Sequence, residues 1–117
     1  MSDFSVNTEQ ATPGTYVVST DGEITFANAE KLARELHAAL DAGASHLVVD
    51  MTDVTFMDSS GLAALLRAAT TARRTNGTLS VVHDASGPPS ILRFKGVDRL
   101  VRTFPSRDQA LASAFGT

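Results

Sequence analysis

The order of apolar runs limits the fold of this chain more than any other feature. Short β-branched runs alternate with stretches whose apolar residues recur at helical spacing. Phe4-Ser5-Val6-Asn7 and Thr15-Tyr16-Val17-Val18-Ser19-Thr20 read as strands, with Pro13-Gly14 as the turn between them and Asp21-Gly22 ending the second. A helix follows, with Asn28 at its N-cap, Leu32, Leu36 and Leu40 on one stripe, and Gly43 where a helix end favours left-handed backbone. Leu47-Val48-Val49 has the all-apolar character of a strand buried on both faces. After a loop containing Asp53, a second helix begins near Ser59 with Leu62, Leu65, Leu66 and Ala69 facing inward, and Asn76-Gly77 ends it.

Thr78-Leu79-Ser80-Val81-Val82 is the next strand. Ser86-Gly87-Pro88-Pro89 opens a short third helix that carries Ile91, Leu92 and Phe94 and stops at Gly96. Leu100 to Phe104 reads as a last edge strand, and Ser106-Arg107-Asp108-Gln109 as a capping box starting a terminal helix. The order β-β-α-β-α-β-α-β-α requires right-handed crossovers and a sheet that is parallel in its middle, with the first two strands antiparallel at one side. The expected fold is α/β: one domain over residues 1–117, a mixed sheet of four to five strands and about four helices.

Composition narrows the chemistry. There are no cysteines among the 117 residues, which excludes disulfides, thiolate nucleophiles and cysteine metal sites. The opening Met-Ser-Asp-Phe-Ser has neither the basic nor the apolar region of a secretion signal, and no apolar run approaches a bilayer crossing, so the expected location is the cytoplasm, away from membranes. Residues 1–60 hold two bases and ten acids, whereas residues 61–117 hold eight bases and three acids. Those bases are scattered, with Arg73-Arg74 the only adjacent pair, so nucleic acid is not an expected partner.

In open α/β sheets, sites collect at the carboxyl ends of strands. That edge here offers Asp50, Asp53 and Asp58-Ser59-Ser60-Gly61. A receiver-type phosphoacceptor would need an acidic pair after the first strand and a lysine after the last, and neither is present. A hydrolase would need a base in reach of its nucleophile, and His37, His46 and His83 have no spacing that implies one. The remaining chemistry is a serine displayed at a helix start for another protein to modify, although an ordinary N-cap accounts for the same residues. Two adjacent hydroxyls, a neighbouring carboxylate and a glycine that lets another backbone approach are what Asp-Ser-Ser-Gly adds to a cap. Free N–H groups at that helix start would receive a phosphate. No cofactor and no metal site are expected.

The segment Val48-Val49-Asp50-Met51 through Val54-Thr55-Phe56-Met57-Asp58-Ser59-Ser60-Gly61-Leu62 resembles the central strand, loop and helix start of STAS-domain anti-sigma factor antagonists. Gly22-Glu23-Ile24, Leu92-Arg93-Phe94-Lys95-Gly96-Val97 and Gln109-Ala110-Leu111 are similar to three further segments of that family, in the same order. Thr25 departs from it where an acidic residue is common, and Arg93-Phe94 where Leu-Phe is.

The resemblance implies a STAS-like sheet and a partner switch. The unphosphorylated chain would bind an anti-sigma factor serine kinase of histidine-kinase-like ATPase fold and release a sigma factor, phosphorylation of Ser59 would end binding, and a PP2C-type phosphatase would reset it. The implied partner contacts are Glu23, Thr25, Asp58, Ser59, Ser60, Gly61 and Leu62, with Ser60 supporting the helix start. A non-switching STAS scaffold, or a ligand-binding subunit of a stress-signalling or lipid-transport assembly, is the alternative, and weak homodimerisation through exposed faces stays open.

Overall fold

A computed structural model describes residues 4–83 and 100–115. Strands β1 (Ser5–Thr12) and β2 (Thr15–Ile24) form a hairpin. Helix α1 (Ala29–Asp41), β3 (His46–Met57), α2 (Ser59–Arg74), β4 (Thr78–Val82), β5 (Arg102–Phe104) and α3 (Arg107–Phe115) follow. The five strands lie in chain order, β1-β2-β3-β4-β5. β1 pairs with β2 antiparallel and every other pairing is parallel, as expected from the alternation. Three helices stand among the described residues. The expected helix over 86–96, and with it Arg93-Phe94, lies outside them.

Strict side-chain alternation divides the apolar strands between two cores. Val18, Leu47, Val49, Met51 and Val81 join Leu32, Leu36, Leu65 and Ala69 beneath α1 and α2. Val17, Val48 and Val82 face Ala110 of α3 on the opposite side. A sheet covered on both faces explains why Leu47-Val48-Val49 carries no polar residue. On α2 the inward stripe differs from the expected one. Gly61, Ala64, Leu65, Ala68, Ala69 and Ala72 are buried, whereas Leu62 and Leu66 are only half-buried. Small side chains turn inward because they let the helix sit close to the sheet and to α1, and the two leucines cover the margin.

Helix α1 ends as anticipated. Gly43 has φ +107°, its N–H donates to the Leu40 carbonyl at 3.1 Å, and the Ala44 N–H donates to the Ala39 carbonyl at 3.1 Å. This is a Schellman closure, whose left-handed residue favours glycine.

Two expected boundaries are wrong for one reason. Asp21-Gly22 does not end β2, and the expected loop around Asp53 is strand. The two extensions pair with each other, Asp21 opposite Asp53, Glu23 opposite Phe56 and Ile24 opposite Met57, with register irregularities on either side of Asp21-Gly22. Gly22, at φ +87°, absorbs one of these as a bulge instead of a break. Because register shifts there, the buried residues of the β3 extension, Met51, Val54 and Met57, fall three apart and show no two-residue alternation. Beyond Val82 of β4, which pairs with Asp50, the β2 and β3 extensions run on together. Their tips carry the candidate site.

Candidate functional site

The site is built where β2 and β3 end side by side and each turns into a helix. The Asp58 N–H donates to the Ile24 carbonyl at 3.0 Å, closing the two strand ends together. Asp58 is the residue before α2, in extended conformation, and it caps that helix. Its Oδ1 accepts from the Ser60 N–H at 2.8 Å and the Gly61 N–H at 3.3 Å. Its Oδ2 accepts from the Phe26 N–H at 3.1 Å. One carboxylate thus holds both the first turn of α2 and the loop between β2 and α1.

That loop is organised by Thr25 and Asn28. The Thr25 N–H donates to Asn28 Oδ1 at 2.9 Å, the Ala27 N–H donates to Thr25 Oγ1 at 3.3 Å, and Asn28 Nδ2 donates to the Glu23 carbonyl at 2.9 Å. The pattern is close to a capping box drawn into a turn. Asn28 does precede α1, but its side chain makes no cap hydrogen bond to the helix. It reaches back to Glu23 and Thr25, because the Thr25 carbonyl already accepts from the Asn28 and Ala29 N–H groups and leads the chain into the helix. The threonine that departs from the family pattern is therefore a turn-building residue.

Of the seven expected contact residues, Glu23 and Ser59 are exposed and Thr25, Asp58 and Ser60 half-buried, all gathered at this one edge. Among the described residues, nothing hydrogen-bonds the Ser59 hydroxyl. Gly61 is buried and Leu62 is half-buried at the margin of the core. A Cβ on Gly61 would lie 2.5 Å from Met57 Cγ and 2.7 Å from Ile24 Cγ2, so its missing side chain serves the chain's own packing and not an approaching backbone. Leu62 packs against the core.

Two further expectations need correction. Asp58, not Ser60, supports the helix start. The N–H groups of Ser60 and Gly61 are also not free to receive a phosphate on Ser59, since Asp58 already occupies them.

Two exposed aromatic residues of this edge are not among the expected contacts, although Phe56 lies in the segment that carries the family resemblance. Phe26 is 82% exposed and Phe56 49% exposed. Phe26 belongs to neither a strand alternation nor the α1 stripe. That double misfit is its only signal in sequence.

Asp50 has a different part from the one its strand-end position raised. Arg107, the first residue of α3, donates to Asp50 Oδ2 through Nε at 3.0 Å and Nη2 at 2.9 Å, to Ser19 Oγ through Nη2 at 2.9 Å, and to Glu9 Oε1 through Nη1 at 3.1 Å. The Thr52 N–H and hydroxyl donate to Asp50 Oδ1 at 3.0 and 2.6 Å. Burial opposes ionisation of Asp50, but the Thr52 hydrogen bonds and Arg107 outweigh it and hold the carboxyl below its ordinary 3.8. The Ser106 hydroxyl accepts from the Gln109 N–H at 3.2 Å, so the expected cap of α3 presents Arg107 to the sheet.

The histidines are dispersed. His37 Nδ1 lies 2.9 Å from the Ala33 carbonyl, His46 Nδ1 lies 2.9 Å from Thr78 Oγ1, and His83 is buried at the end of β4. Among the described residues no group of three or more His, Asp or Glu could hold a metal ion, and no helix is long and apolar enough to cross a membrane.

Comparisons with known proteins bear on the family and the fold. A family model for the STAS domain matches residues 7–110. A putative anti-sigma factor antagonist, BtrV of Bordetella bronchiseptica, is 29% identical over 104 residues, covering 89% of each chain. The crystal structure of an anti-sigma factor antagonist from Mycobacterium paratuberculosis superposes with TM-score 0.85 at 26% identity, over 97% of this chain and 95% of that one. SpoIIAA in its unphosphorylated form shares the fold, with TM-score 0.81 at 18% identity over 97% and 98% of the two chains. The Bacillus SpoIIAA in its phosphorylated form gives 0.72 at 18% over 93% and 98%.

Proposed function

The chain belongs to the STAS domain family, and on that premise we propose that it is an anti-sigma factor antagonist that works in the cytoplasm by binding, with Ser59 as its switch. The unmodified chain occupies an anti-sigma factor that is also a serine kinase, and a sigma factor is released. The kinase then transfers phosphate to Ser59. The serine Oγ attacks the γ-phosphorus of ATP, the bond to the bridging oxygen breaks, ADP leaves, and the hydroxyl proton passes to a base on the kinase. A PP2C-type phosphatase hydrolyses the ester and restores the binding form.

The observation that carries this reading is the state of Ser59 itself. It is exposed on the first turn of α2, its hydroxyl is unengaged among the described residues, and Asp58 fixes the backbone beside it. A hydroxyl placed so can enter another protein's active site without unfolding of the chain. The phosphate it would gain carries about −1.5 to −2 charge. With the Ser60 and Gly61 N–H groups held by Asp58, that charge stays beside a carboxylate and faces whatever covers the site. A hundredfold loss of binding needs about 2.7 kcal/mol, and one desolvated charge at the centre of a contact supplies that much.

The test begins with capture of the kinase by the wild-type chain from its native cell. Incubation with that kinase and ATP, followed by phosphopeptide mass spectrometry, should place the phosphate on Ser59. Ser59→Ala should stay folded and bind the kinase constitutively, and Ser59→Asp should bind at least about tenfold more weakly. Phosphate on Ser60, or none anywhere, refutes the assignment. If Ser59→Ala changes nothing, a non-switching scaffold is the better account.

A further inference from the structure

We propose that Phe26 is the apolar anchor of the partner contact, the side chain that the anti-sigma factor kinase takes into a pocket beside the group that reaches Ser59. This inference rests on the antagonist reading and names the element of the surface that supplies its binding energy.

An exposed phenylalanine at 82% is unfavourable in a free chain, because its apolar surface stays in water. The loop around it is nevertheless well fixed. The Phe26 N–H is held by Asp58 Oδ2, the following N–H by Thr25 Oγ1, and the turn is closed by Asn28 on both the Thr25 N–H and the Glu23 carbonyl. Four backbone positions, 23, 25, 26 and 27, are tied down while one ring stays exposed.

A rigid backbone with an aromatic side chain of two torsions loses little conformational entropy on burial, which is what an interface anchor requires. Anchors of this type carry a large share of binding energy in protein contacts.

The occupant follows from geometry and charge. The Phe26 N–H and the N–H groups of Ser60 and Gly61, which follow Ser59 on the first turn of α2, are held by the same carboxylate, one element through each oxygen, so a protein that reaches the Ser59 hydroxyl also covers Phe26. Beside the turn that carries the ring stand two acids, Glu23, whose carbonyl accepts from Asn28 Nδ2, and Asp58, which accepts from the Phe26 N–H. The matching surface is an apolar pocket with basic groups at its rim. Phe56, half exposed, is in register with Glu23 on the neighbouring strand.

The test uses the kinase captured by the wild-type chain, identified as a histidine-kinase-like ATPase by mass spectrometry and purified alone. It is titrated calorimetrically with wild type, Phe26→Ala, Phe26→Leu and Ser59→Asp, and the melting temperature of each chain is recorded. Phe26→Ala should weaken binding by about tenfold or more, Phe26→Leu by less, and neither should move the melting temperature by more than about 2 °C. If Phe26→Ala binds within about twofold of wild type while Ser59→Asp is released, the anchor is refuted and the antagonist reading stands. If Phe26→Ala weakens binding but also lowers the melting temperature by several degrees, the ring is structural and the anchor is again refuted. If Ser59→Asp binds as wild type does, the switch falls and the anchor is judged by its own arm. If the wild-type chain captures no such ATPase, both fall.

Discussion

Asp58 joins two elements through two different oxygens, and substitutions can separate the two tasks. Asp58→Ala removes both. The cap it gives to Ser60 and Gly61 contributes about 1 kcal/mol, including its favourable position at the positive end of α2. The bond from the Phe26 N–H at 3.1 Å, half open to water, contributes about 1 kcal/mol more. The expected loss is therefore about 2 kcal/mol, or about 8 °C in melting temperature for a domain of this size. Asp58→Asn keeps an oxygen for the cap, but its amide turns a donor towards the Phe26 N–H, so about 1 kcal/mol is lost. Urea unfolding with an unchanged denaturant slope measures the totals. Amide hydrogen exchange assigns them: in Asp58→Asn the Phe26 N–H should exchange faster while those of Ser60 and Gly61 remain protected. If Asp58→Ala costs less than about 0.5 kcal/mol, or if Phe26 exchange is the same in Asp58→Asn and wild type, the carboxylate does not hold the two elements together.

Gly61→Ala sets a gain in helix propensity of about 1 kcal/mol against overpacking of about 1–3 kcal/mol at Met57 and Ile24. Met57 can shift but the β-branched Ile24 is stiff, so the variant should melt a few degrees lower, and a higher melting temperature would contradict the close approach. Asp50→Asn should cost about 1–2 kcal/mol at pH 7 through loss of the charged hydrogen bonds from Arg107 and Thr52. Because the folded-state carboxyl titrates below 3.8, this stabilisation is complete above the unfolded-state value and is lost as pH falls through the folded one. The difference between wild type and Asp50→Asn should thus shrink below about pH 4, and a difference unchanged between pH 7 and 3 would count against the pairing.

The centre of the fold was legible because its physics is local. Leu47-Val48-Val49 needs two covered faces, and Leu32 and Leu36 need one. Gly43 is required by the helix end it closes. The tips of β2 and β3 were not legible, because a glycine bulge and shifted register space Met51, Val54 and Met57 by three and erase the two-residue signal. Ser59 and Asp58 could be found from their order at a helix start. What Asp58 does with its second oxygen could not, since Phe26 lies 32 positions away. Arg107 and Asp50 likewise meet across 57 positions, with no local pattern at either end. Gly61 could be recognised as a glycine that something approaches, but the approaching group belongs to the chain itself.

The site draws on two separate connections, the turn at 25–28 between β2 and α1 and the start of α2 after β3. The exposed Phe26 ring belongs to the first and the Ser59 hydroxyl to the second. Under the proposed switch, a cell running several such proteins in parallel would insulate them by altering one four-residue turn, leaving the chemistry of modification untouched. Cross-talk between pathways would then be governed by the turn, and a graft of that turn alone would rewire the circuit.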